Sequence, residues 1–142
     1  MKTPGGGEET DRARKHPHCW VCSPDNGHGL GVEFRDDSMG GVEGTFACDE
    51  EFTGYAGLLH GGVISSLLDG AMTNCLLSRG LIAVTADLQV RFHHPVRIGR
   101  IAKIRAWLKN TRSLVYILEA ELMQDGAVCA TAVGKFMKHP ME

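Results

Sequence analysis

At 142 residues, 43% hydrophobic and 23% charged, the chain has the length and mix of one globular domain. No apolar run approaches the roughly 20 residues that span a bilayer, and a formal net charge of −2 argues against a general polyanion binder. Five cysteines and the absence of an apolar leader among the first residues point to reduced thiols in a cytoplasmic setting.

Residues 1–17 are glycine-rich and charged, with little to bury, and read as a mobile tail ahead of a single domain over 18–142. A turn-rich lead-in follows from His18 to Leu30, containing Cys19-Trp20-Val21-Cys22 and Asn26…Gly29-Leu30. Two short strands are predicted at Val32–Asp36 and Val42–Cys48, either side of a turn at Ser38-Met39-Gly40-Gly41. The loop Gly54-Tyr55-Ala56-Gly57 then delivers the chain to His60-Gly61-Gly62. From Gly62 to about Arg79, Val63, Ile64, Leu67, Leu68, Ala71, Met72, Cys75 and Leu76 share one broad helical face, and Gly80 stands where a helix-ending glycine belongs.

After Gly80 the period drops to two. Val84, Ala86, Leu88, Val90 and Phe92 alternate with Thr85, Asp87, Gln89 and Arg91, which predicts a half-buried strand. Three more strands are predicted near 101–109, 113–123 and 127–137, with turns at Asn110-Thr111-Arg112 and Gln124-Asp125-Gly126. One helix with so wide an apolar face needs a sheet wrapped around it. The expected fold class is α+β: one long central helix inside a curved antiparallel sheet of about five to six strands.

Asp69 sits mid-helix between Leu67-Leu68 and Ala71-Met72, where an unpaired carboxylate is expensive to bury. Ser65, Ser66, Asp69, Gly70 and Thr73 share the sector opposite the apolar face, and Gly62 points the same way. A solvated helix flank would be rich in Lys and Glu. This one is small and hydroxylated, which favours a working carboxylate.

The order of elements resembles the hotdog-fold thioesterases, in the branch named after a phenylacetic-acid-degradation protein. The specific part is Gly57-Leu58-Leu59-His60-Gly61-Gly62-Val63 with Asp69 seven residues past Gly62. The lead-in is similar to that of many bacterial members, and the likeness runs from about Cys19 to Lys138. It implies hydrolysis of an aryl- or medium-chain acyl-CoA, with no cofactor, by a homodimer with shared active sites or a dimer of dimers. The residue matching Asp69 acts in the family as nucleophile or general base. The amide matching Gly61 polarises the thioester carbonyl, and His60 matches a residue that holds that loop. Thr73 matches a hydroxyl that positions water, and Thr85 takes the place of a serine beside the carboxylate. Relatives often carry Asn or Gln six residues before the histidine. Here that position is Gly54, with Tyr55 or a water to substitute.

Physical chemistry supports the same assignment at the helix start. Gly61 and Gly62 present N–H groups at a helix N-terminus without side chains in the way, a setting that stabilises an oxyanion. The glycines also allow helix and strand to pack closely, and both readings hold together.

No acidic residue lies between Asp87 and Glu119, whereas Arg91, Arg97, Arg100, Lys103, Arg105, Lys109 and Arg112 all do. Such a band suits the phosphates of coenzyme A. A solvated sheet face explains about half of it, since period two puts Lys103, Arg105 and Lys109 on one side. The resemblance narrows the phosphate contacts to Arg97 and the Thr111-Arg112-Ser113 turn, with His139 as a weaker candidate. The band lacks interleaved exposed aromatics and a groove-reading helix, so nucleic acid is not an expected partner.

Cys19 and Cys22, near His16, His18 and His28, have half the spacing of a zinc site. A second Cys-x-x-Cys or His-x-x-x-His half is missing, so the favoured reading is two small thiols packing a turn beside Trp20, with no metal. Cys75 and Cys129 lie on apolar faces and read as core. Two rivals fit less well. A hotdog dehydratase needs histidine motifs that are absent, and an acyl-CoA-binding sensor would gain nothing from an anion at Asp69.

Overall fold

Six antiparallel strands wrap one helix in the computed structural model, which describes residues 16–139. The predicted tail lies outside that range except for His16 and Pro17. In chain order the elements are β1 (Arg35–Asp36), β2 (Val42–Ala47), a 3-10 turn (Glu50–Phe52), α1 (Gly61–Leu77), β3 (Ala83–Phe92), β4 (Ile101–Arg112), β5 (Val115–Gln124) and β6 (Ala127–Lys138). The sheet order is β1-β2-β4-β5-β6-β3, with every neighbouring pair antiparallel. This is the hotdog arrangement that the resemblance implies.

The helix forms because its apolar residues recur at helical spacing, and it is buried because the sheet's concave face matches that stripe. Leu67, Leu68, Met72, Cys75 and Leu76 meet Ile104, Leu118, Leu122 and Phe136 in one core. β5 alternates without exception, burying Tyr116, Leu118, Ala120, Leu122 and Gln124 while the intervening side chains turn outward. Gly134 of β6 lets sheet and helix touch: a Cβ there would lie 3.0 Å from Met72 Sδ and 2.7 Å from the Phe136 ring. The helix closes at Gly80 (φ 71°), where the Leu81 amide donates to Leu76 O and the Gly80 amide to Leu77 O.

Four predictions are corrected. The first strand shrinks to Arg35–Asp36, because the amides of Leu30 and Val32 pair with the lead-in carbonyls of Trp20 and Val21 and draw that stretch away from the ladder. Asn110-Thr111-Arg112 is not a turn: a bulge between Leu108 and Asn110 carries β4 on to Arg112, and Ser113 (φ 54°) and Leu114 make the turn. Gln124 belongs to β5, leaving Asp125-Gly126 (φ 53° and 81°) as a two-residue hairpin turn. The alternating strand 84–92 is less buried than its pattern implies, with Val84 45% and Phe92 56% exposed. The reason is topological: β3 is an end strand, with β6 on one side and no strand on the other.

Candidate active site

Two clusters occupy opposite ends of β3. The first is built at the helix N-terminus. His60 caps α1: its Nδ1 accepts from the Gly62 amide at 2.8 Å, and its carbonyl accepts from Val63 and Ile64. An accepting Nδ1 leaves the ring proton on Nε2. With Gly62 engaged by His60, the exposed Gly61 amide has no hydrogen-bond partner among the described residues and points out of the helix end. A cleft of about 790 Å³ opens there, lined by Gly54, Tyr55, His60 and Gly61 on one wall and Phe92 and His94 on the other.

Gly54 lies directly against His60: a Cβ would stand 3.1 Å from the His60 Cα. A larger residue would have to push the capping histidine by a few tenths of an ångström. Tyr55, at the cleft rim, is 86% exposed.

The second cluster centres on Asp69, whose Oδ1 accepts from the Thr85 hydroxyl at 2.7 Å. Strict alternation would put Thr85 on the outer face beside Asp87. The register instead shifts between Thr85 and Asp87, so Ala86 is bulged out and Thr85 pairs with the inward-facing Phe136. A bulge that re-aims one side chain is a device common beside functional sites. Thr73 does not reach the Asp69 carboxylate. Its hydroxyl donates to the Asp69 carbonyl at 3.0 Å, as those of Ser65 and Ser66 do to Gly61 and Gly62.

Burial pushes the Asp69 carboxyl above the ordinary carboxylate range, the Thr85 hydrogen bond opposes that shift, and the nearby Cys19 adds to it while His16 counters it. An elevated carboxylate is a stronger base. If Asp69 is the base or nucleophile it must be ionised to act, and activity is then expected to fall as pH drops through its pKa. Thr85→Ala removes a bond that favours the charged form, so the acid limb of the pH–rate profile is expected to move to higher pH. The alkaline plateau should lose less than about tenfold, since the carboxylate itself remains. An unmoved limb would separate Thr85 from the titrating group.

The other predicted residues divide between the same two ends. Arg97 belongs with the cleft. Its amide donates to Gln124 Oε1 at 2.7 Å, its carbonyl accepts from Gln124 Nε2 at 3.0 Å, and it bridges to Leu58. Buried Gln124 was missed as a positioning residue because it read as a turn. The available signal was its place on the inward register of β5. Thr111, Arg112 and Ser113 lie at the far end of β4, and His139, whose amide donates to Ile82 O, follows β6 at that end. Arg97 and Arg112 therefore stand at opposite ends of one chain. Much of the basic band is neutralised in place by acids on other strands or turns: Arg100 by Asp125, Lys103 by Glu43, Arg105 by Glu121 and Lys109 by Glu119. Arg97 and Arg112 have no ion-pair partner among the described residues.

Beside Asp69, the lead-in packs on the helix. Val21 sits over Gly70, where a Cβ would lie 2.5 Å from Val21 Cγ1. Cys19 and Cys22 flank that valine, and the Cys19 thiol is held down to about 4, first by its hydrogen bond with Cys22 and then, against burial, by His16.

A sequence profile described as the thioesterase superfamily matches residues 56–130. Human acyl-coenzyme A thioesterase 13 is 28% identical over 93 residues, covering 64% of this chain and 66% of that protein. The solved structure of RHA08564, described as a thioesterase superfamily protein, superposes with a TM-score of 0.80 at 27% identity, covering 84% of this chain and 63% of the other. This chain thus spans just under two thirds of the length of both. The Escherichia coli PaaI protein, from the phenylacetic acid degradation operon, superposes with a TM-score of 0.72 at 22% identity, covering 78% and 80%, and shares the fold.

Proposed function

The chain belongs to the thioesterase superfamily, and from that premise we propose that it hydrolyses an aryl- or medium-chain acyl-CoA to free acid and CoA. The active sites are shared between two copies of the chain in a homodimer or a dimer of dimers. The observation that carries this reading is the pairing of an unengaged Gly61 amide over an open cleft with a half-buried, hydroxyl-anchored Asp69 carboxylate.

In the proposed reaction the thioester carbonyl oxygen accepts from the Gly61 amide of one copy, where the helix N-terminus favours negative charge. Asp69 of the other copy takes a proton from water, the resulting hydroxide adds to the carbonyl carbon, and the tetrahedral oxyanion rests on the Gly61 N–H. Collapse breaks the carbon–sulfur bond, and the departing thiolate recovers the proton from Asp69. Direct attack by Asp69 would pass instead through a mixed anhydride, which water then opens. Neither route asks for a cofactor. His60 acts by holding the cap, and Thr85 by anchoring the carboxylate.

The free edge of β3 supports the sharing, because a two-fold axis beside it would pair the two copies. An antiparallel pairing of two β3 edges sets the Thr85 end of one against the Phe92 end of the other, and covers a ten-residue edge that would otherwise invite aggregation. The same operation gathers Arg97 from one copy with Thr111, Arg112, Ser113 and His139 from the other, a set suited to the phosphates of coenzyme A. A cytoplasmic setting belongs to the proposal as well. Among the described residues, no helix is long and apolar enough to cross a membrane.

Thiol release across a panel of acyl-CoAs tests the function. Turnover is expected on aryl or medium-chain members, with Arg97→Ala and Arg112→Ala each raising KM roughly threefold or more and leaving kcat nearly unchanged. The penalty should vanish with short acyl-pantetheine thioesters, which lack those phosphates. Tight acyl-CoA binding without thiol release would instead favour a sensor, for which Gly54 in place of the relatives' amide is the best support.

A further inference from the structure

His16, Cys19 and Cys22 recur at every third residue of the lead-in, and their donor atoms all lie within 4.8 Å of one another. His16 Nδ1 is 3.2 Å from Cys22 Sγ. Neither cysteine is in a disulfide. The backbone between and beyond them is tied down. Ser23 N donates to Cys19 O at 3.0 Å, Ser23 Oγ to Pro17 O at 2.7 Å, Leu30 N to Trp20 O at 2.7 Å and Val32 N to Val21 O at 2.8 Å. Cys48 and Cys75 are buried members of the core, whereas Cys19 and Cys22 are only partly buried against it. These two face each other and an imidazole.

We propose that His16 Nδ1, Cys19 Sγ and Cys22 Sγ bind a zinc ion, with the fourth position of the tetrahedron taken by water. Metal–sulfur bonds of about 2.3 Å and metal–nitrogen bonds of about 2.0–2.1 Å give tetrahedral edges of about 3.8 Å between sulfurs and about 3.6 Å between nitrogen and sulfur. The three donors therefore need to move by no more than about 1 Å to close on an ion. Two thiolates and an imidazole select zinc over oxygen-seeking cations. Both sulfurs bind as thiolates whose charges balance the dication, and any thiol proton still held is released to solvent on loading.

Spacing alone missed the site because it looked for a second paired half. In the fold a lone histidine three residues upstream supplies the third donor, and the docking of Val21 on Gly70 holds the group over the helix beside Asp69. The ion would tie His16 to the Cys19–Cys22 turn beside Asp69.

Elemental analysis of the full chain, purified without a histidine tag, is expected to give about one zinc per chain. Replacing zinc by Co²⁺ should produce a thiolate-to-cobalt charge-transfer band and the intense visible bands of a tetrahedral site. His16→Ala and Cys22→Ser should each lower metal affinity at least tenfold, whereas His18→Ala and His28→Ala should not. The cobalt spectrum of the unaltered chain decides the matter even where a variant folds poorly. Absence of zinc together with absence of the charge-transfer band would overturn the proposal. So would undiminished metal in the Cys19→Ser/Cys22→Ser chain, or a Cys19–Cys22 disulfide in protein kept under reducing conditions.

Discussion

Asp69→Asn is expected to lower kcat by at least two orders of magnitude while the melting temperature at neutral pH holds or rises. Asparagine can neither accept a proton from water nor attack a carbonyl at neutral pH, so a loss of this size follows if Asp69 is the base or nucleophile. The stability half has the opposite sign for a physical reason. Burial raises the pKa of Asp69 in the folded chain, so the fold favours the neutral form. That favour is fully present below the unfolded carboxyl pKa and is lost as pH rises through the elevated folded value. At neutral pH the parent carries the cost of an ionised, half-buried group. The asparagine variant does not, and its amide oxygen still accepts from Thr85. The gap in melting temperature should therefore narrow as pH falls. Near-parental thioester hydrolysis in this variant would remove Asp69 from the reaction.

The second large effect is rescue by mixing two dead chains. Gly61 and Asp69 are eight residues apart on one helix, about 12 Å at 1.5 Å per residue. A carbonyl oxygen must sit about 3 Å from its oxyanion donor while the attacking group waits about 3–3.5 Å from the carbon. One chain's amide and its own carboxylate cannot readily meet those limits together. Asp69→Asn disables the carboxylate end, and Gly61→Val fills the space before the amide, where even a Cβ would lie 3.6 Å from the Phe92 ring. In a hybrid dimer one site holds both lesions and the other holds neither. Random reassortment makes half of the dimers hybrids, so about a quarter of parental activity should return. Verified hybrids that stay as inactive as their parents would show that each chain works alone.

Much of this was legible from local pattern. The 3.6-residue recurrence from Val63 to Leu76 announced α1, Gly80 its end, Asp125-Gly126 a hairpin and the antiparallel run that follows the helix. These signals are local because backbone periodicity and positive φ act over a few residues. The polar residue most costly to bury, Asp69, stood out against the apolar helix for the same reason, and the likeness to hotdog thioesterases rested on residues clustered in a short stretch around it.

Tertiary structure decided what depends on partners distant in sequence. Thr85 reads as an outward residue until β6 imposes the shift that bulges Ala86 and turns Thr85 to Asp69. Gln124 reads as a turn residue until the last rung of β5 brings its amide to the Arg97 backbone, 27 positions away. The basic band reads as a phosphate site until Glu43, Glu119, Glu121 and Asp125 arrive from neighbouring strands and turns and neutralise much of it. Val84 and Phe92 read as half-buried until sheet order leaves β3 at an edge. In each case the local sequence specifies which groups a segment carries, while the side they face and the charges they meet are set by the strand or helix packed against it.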